Sequence, residues 1–167
     1  MADKVSDSVK INASPEEVMA VIADLEDYPN WSDGFTAVEI ITTHDDGAAK
    51  DAAFSIATPV GKDTYEISYV WTGNESVSWT LNSDEGGKPK SSMMKRLDGT
   101  YRLTPDGDAT MVTYELEIDP KIPMMGFMKK KAASTIVDQA LNGLKKRVER
   151  QARSSSTAVL PSSMATS

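Results

Sequence analysis

Read only for apolar and polar positions, the chain changes period twice. In residues 14 to 31, SPEEVMAVIADLEDYPNW, Val18, Val21 and Ile22 recur at helical spacing. Ser14 suits the cap, Pro15 the first helical position and Glu17 the acid of a capping box, so a helix starts here. Pro29 stops any continuation beyond Tyr28, which predicts a short helix, a break at the proline and then Trp31.

Beyond this the period falls to two. A first strand is expected near residues 4 to 11, and six more over 35 to 43, 51 to 57, 63 to 72, 76 to 82, 94 to 104 and 109 to 118. The segments between them carry turn chemistry, Asp46-Gly47, Pro59-Val60-Gly61, Gly73-Asn74, Gly86-Gly87 and Pro105-Asp106-Gly107. Links this short join antiparallel neighbours, because a parallel crossover needs a dozen residues or more. Within the strands Tyr65, Tyr69, Trp71, Trp79, Tyr101 and Tyr114 alternate onto one face, while Glu66, Ser68, Thr80, Arg102 and Glu115 take the other. One side of the sheet is therefore aromatic and covered, the other wet.

The period returns to helical from Met124 to about Arg153, a stretch without proline. Ala133, Ile136, Val137, Ala140, Leu141, Leu144 and Val148 form its stripe; Asp138, Gln139, Asn142, Lys145 and Lys146 are assigned to the opposite face. At 1.5 Å per residue such a helix spans about 45 Å, enough to cross the sheet. Small residues in its stripe, Ala133 and Ala140, leave room between helix and sheet.

Composition changes this picture little. The 167 residues include 40% hydrophobic side chains and no cysteine, which excludes disulfides and thiolate metal sites. With no apolar run of signal-peptide or membrane-span length, a cytoplasmic location is expected. The net charge of −7 divides unevenly: from Lys121 onward nine Lys or Arg face two acids, and the first 120 residues carry −14. An acidic body argues against nucleic acid as partner.

Candidate catalytic chemistry is sparse. His44 lies in a polar turn, THDDGAAKD, and is read as a solvated loop residue, so no metal site is assigned. Arg102 points to the wet face, where Glu115 on the neighbouring strand pairs with it. No glycine-rich phosphate loop or serine-histidine pair is present, and no catalytic residue or cofactor is assigned. The segment KIPMMGFMKKK admits two readings. Its thioethers close the core's end as a gate, or Met124 to Lys131 touches an anionic membrane transiently. The last residues, 154 to 167, are small and polar and are expected to be a disordered tail after a single domain, 1 to 153.

The order strand, short helices ending in YPNW, six strands and a long helix resembles the helix-grip fold of the START-like (SRPBCC) superfamily. More narrowly, INASPEEVMAVIADLEDYPNW together with IPMMGFMKKKAASTIVDQALNGLKKRVE resembles its polyketide cyclase/dehydrase-like and coenzyme-Q-binding branch. The resemblance implies an α+β fold, with a curved seven-stranded antiparallel sheet around the C-terminal helix and two short helices after the first strand. It also implies an apolar cavity for a lipid, isoprenoid, quinone or polyketide-like molecule. Expected ligand-facing residues on the strands are Phe54, Tyr65, Tyr69, Trp71, Trp79, Tyr101 and Tyr114; on the helix they are Met125, Met128, Ile136 and Ala140. Trp31 is expected at the rim, facing Met124 to Met128. Two functions follow: binding or carriage of a hydrophobic small molecule, or a metal- and nucleotide-free cyclase or dehydratase. An interaction role toward another protein is permitted but not selected.

Overall fold

The computed structural model describes the backbone of residues 3–32, 34–58, 61–121 and 125–166; the side chains of 3, 58, 61 and 152–166 lie outside the description. Seven strands, β1 (Asp3–Ile11), β2 (Phe35–Thr43), β3 (Ala49–Thr58), β4 (Gly61–Thr72), β5 (Ser76–Leu81), β6 (Met94–Asp106) and β7 (Ala109–Pro120), form one sheet. Their order is β1-β7-β6-β5-β4-β3-β2, each pair antiparallel, and every strand bound lies within two residues of its expected position. Turns at positive φ, Gly47 at +90° and Gly107 at +62°, close two of the hairpins as their sequence requires. Register shifts in β2 and near Met94 of β6 mark bulges, which bend strands and help the sheet curve.

β1 and β2 are consecutive strands on opposite edges of the sheet, and the short helices carry the chain between them. Helix α1 (Pro15–Ala23) begins with the expected capping box: Ser14 Oγ accepts from the Glu17 amide, and Glu17 Oε1 accepts from the Ser14 amide. The break comes earlier than expected. α1 ends at Asp24, a 3-10 turn follows over Leu25–Asp27, and α2 (Tyr28–Trp31) contains Pro29 rather than being stopped by it. In a new helix's first turn the amide that proline lacks has no intrahelical acceptor, so Pro29 starts a helix here.

The last helix, α3 (Gly126–Thr166), contacts β1, β7, α1 and α2. Ala133, Val137, Leu141, Leu144 and Val148 are all buried along its seam, and full burial stabilises each larger aliphatic by about 1.5–3 kcal/mol. Polar contacts fix its position: Arg147 Nη2 donates to Asp27 Oδ2 at 2.6 Å and Lys145 Nζ to the Lys10 carbonyl at 2.7 Å. The tail assigned to 154–167 has its side chains outside the described residues. No described helix is long and apolar enough to cross a membrane.

Candidate functional site

Between the concave sheet face and α3 lies a cavity of about 410 Å³, within the range of small-molecule sites. Its buried end is built by inward positions of successive strands: Phe54 of β3, Tyr65 and Tyr69 of β4, Trp79 of β5, Tyr101 of β6, and Tyr114 and Leu116 of β7. Lining residues that are also exposed, Gly34, Ala57, Ile136 and Gln139, mark where it opens. No Asp, Glu, Lys, Arg or His lines it among the described residues.

Every aromatic side chain except Phe127 belongs to one connected set of rings. Trp79 stands at its centre, with ring centroids 6.0 Å from Tyr69, 5.3 Å from Tyr101 and 5.5 Å from Tyr114. Tyr28 uses its hydroxyl internally, donating to the Ile22 carbonyl at 2.5 Å, and so ties α2 to α1. The other four tyrosines do not. Among the described residues, the hydroxyls of Tyr65, Tyr69, Tyr101 and Tyr114 have no hydrogen-bond partner. Desolvation raises the pKa of all five phenols well above the ordinary value, and repulsion between neighbouring phenolates raises it further for every one but Tyr114. The cavity therefore presents neutral O–H groups, each able to donate.

Of the expected ligand-facing residues, Trp31, Phe54, Tyr65, Tyr69, Trp79, Tyr101, Tyr114, Ile136 and Ala140 line this one space. Trp71 does not: it stacks on Tyr69 at 5.2 Å, and its indole N–H donates to the Ala49 carbonyl at 2.7 Å. Met125 and Met128 also lie off the lining, 66% and 45% exposed, and Met124 is outside the described residues. Trp31 does reach the cavity, but against a different partner. Its ring and carbonyl lie where a side chain on Gly143 would meet them at 3.6 Å, beside Ile136, Gln139 and Ala140 rather than at the helix start. The Trp31 Nε1 is buried with no acceptor among the described residues.

Lining residues outside the expected set include Tyr28, Phe35, Ile67, Met94, Leu97, Leu116 and Gln139. Gln139, expected on the outer helix face, follows Ile136 by three residues and shares its side of α3. Met94 and Leu97 follow a loop without periodic signal, held by Asp63. Its carboxylate, 2% exposed, accepts from Ser91 Oγ, Ser92 N and Ser92 Oγ at 2.7, 2.9 and 2.7 Å. His44 is half-buried, its Nε2 2.9 Å from the Tyr69 carbonyl. Arg102 pairs with Glu115 on the outer face, as its alternation requires.

Residues 2–149 match the profile of a family described as polyketide cyclase / dehydrase and lipid transport. The chain belongs to this family. Its fold is shared by a START superfamily protein from Mycobacterium smegmatis, with TM-score 0.80 and 21% identity, covering 89% of this chain and 98% of that one. The Zhui aromatase/cyclase from Streptomyces sp. R1128 superposes with TM-score 0.76 at 14% identity, covering 93% and 98%. A STAR-related lipid transfer protein from Xanthomonas axonopodis gives 0.62 at 17%, covering 87% and 85%. At these identities the structures establish the helix-grip fold, and family membership rests on the profile. No curated protein matches the chain. The family joins binding of hydrophobic ligands with cyclase chemistry, and both are compatible with this cavity.

Proposed function

We propose that this chain binds and carries a neutral, largely apolar small molecule that bears hydrogen-bond-accepting oxygens. The observation that carries the reading is that, among the described residues, four tyrosine hydroxyls have no partner and no charged side chain lines the cavity. A purely aliphatic ligand leaves buried donors unpaired, at about 1–3 kcal/mol each where no water reaches them. A ligand carbonyl or ether oxygen removes that cost. An anionic headgroup entering first would meet no cation among the lining residues.

Cyclase or dehydratase chemistry is the second reading, favoured by the same donors. A neutral phenol beside a ligand carbonyl polarises it and stabilises an enolate oxygen. No carboxylate or imidazole among the lining residues is placed to remove a proton, which is why binding comes first.

The binding unit is assigned to residues 1–153, in keeping with the matched range 2–149. Loading from a membrane is included in the proposal. Met125, Phe127 and Met128 are 66%, 68% and 45% exposed, Lys130 and Lys131 beside them are exposed, and the same helix reaches the cavity opening at Ile136. Vesicle flotation checks this part: phosphatidylserine-containing vesicles should retain the protein, and Phe127→Ser should release it.

A chain-matched displacement series tests the ligand class. With Nile red as reporter, 2-undecanone should displace the probe more strongly than undecane or undecanoate at neutral pH. Preference for the carboxylate, or no displacement by any of the three, overturns the reading.

A further inference from the structure

Trp79 and Gly99 are cross-strand partners on β5 and β6, and the indole fills the place where a side chain on residue 99 would stand. A Cβ on Gly99 would fall 2.3 Å from Trp79 Cε2 and Cζ2 and 2.5 Å from its Nε1, far inside van der Waals contact. Gly99 is not among the residues at positive φ, so the backbone there does not demand glycine. The indole does.

The surroundings decide where the ring would go if displaced. Tyr69, Tyr101 and Tyr114 pack against the ring at centroid distances of 6.0, 5.3 and 5.5 Å, and Gly99 of the sheet lies directly beneath it. The ring also lines the cavity, so the open space next to it is the ligand's own.

We propose that Gly99 is a specificity-determining position: by letting the Trp79 indole lie against the sheet it sets the depth of the cavity, and so the length of ligand that can be buried. This rests on the binding reading above. Gly99 itself is absent from the cavity lining and acts through Trp79, so it is a positioning residue.

Nile red and prodan, neutral ketone-bearing dyes of different length, serve as probes for wild type, Gly99→Ala, Trp79→Leu and the Gly99→Ala/Trp79→Leu double variant, each with a thermal melt and a crystal structure. Gly99→Ala should weaken Nile red about ten-fold or more and prodan much less, and the double variant should recover Nile red, since removing the indole frees the floor. Equal weakening of both dyes, or no recovery in the double variant, overturns the proposal. If wild type binds neither dye, the binding reading fails and the floor is judged by structure and stability. A Gly99→Ala indole shifted into the cavity, with a melting loss that the double variant relieves, upholds the role of Gly99 in setting depth; an unmoved indole with an unchanged melt overturns it.

Discussion

Tyr101 and Tyr114 stand opposite each other on β6 and β7, ring centroids 4.7 Å apart and planes at 80°, and neither hydroxyl has a partner among the described residues. The edge-to-face contact belongs to the rings and survives loss of the oxygen. Tyr101→Phe and Tyr114→Phe are therefore expected to change stability by less than about 1 kcal/mol while weakening a carbonyl-bearing probe several-fold, since a hydrogen bond contributes about 0.5–1.5 kcal/mol net. Thermal melts and prodan titrations measure the two effects separately. Large destabilisation would mean these hydroxyls serve the fold.

All five tyrosines of the chain have raised pKa values, chiefly from desolvation. The unfolded chain ionises near the ordinary value of about 10 and the folded one above it, so folding is favoured below that pH and loses stability as pH rises past it. Absorbance at phenolate wavelengths, followed during alkaline titration alongside circular dichroism, should stay flat near pH 10 and rise only with unfolding. A phenolate signal from folded protein at that pH would show that solvent reaches the rings.

Asp63 joins the start of β4 to the chain entering β6, and removal of its carboxylate strands three donors. Asp63→Ala should cost about 3 kcal/mol, and Asp63→Asn less because one acceptor remains. Urea unfolding gives both values. Since Met94 and Leu97 line the cavity just beyond this loop, prodan affinity should fall in the folded fraction as well.

Gly143 contrasts with Gly99. Its added Cβ would meet the Trp31 ring and carbonyl at 3.6–3.7 Å, an ordinary contact, within a helix where glycine is unfavourable. Gly143→Ala should stabilise the protein by about 0.5–1 kcal/mol without loss of probe binding. A lower melting temperature would indicate that Trp31 lies closer to α3.

Strand positions were legible because the sheet has one wet and one covered face, and alternation as in Tyr65, Ile67, Tyr69 against Glu66 and Ser68 records that directly. The capping box was legible because its partners are adjacent in the chain. Position relative to other elements was not. The break at Asp24 carries no breaker residue and comes from the chain's need to turn between sheet edges, while Pro29, a strong local signal, begins a helix. Trp31, expected to face Met124 to Met128, lies instead against Gly143, because helical periodicity fixes a face but not the height at which another element meets it. Trp71 shared its strand face with Tyr69 yet sits beyond the space, its indole N–H taken by the Ala49 carbonyl. The Gly99 and Trp79 relationship depends on cross-strand register, which no single strand's pattern contains.

The central claim is that the cavity holds a neutral, acceptor-bearing apolar molecule, and native mass spectrometry of the full chain purified from its own cells tests it most directly. The account predicts a bound species that is lost on organic extraction, replaceable by prodan, and held less well by a Tyr101→Phe/Tyr114→Phe variant. A chain that carries no such species and gives no prodan complex, or one that retains an anionic ligand unaffected by those substitutions, would contradict it.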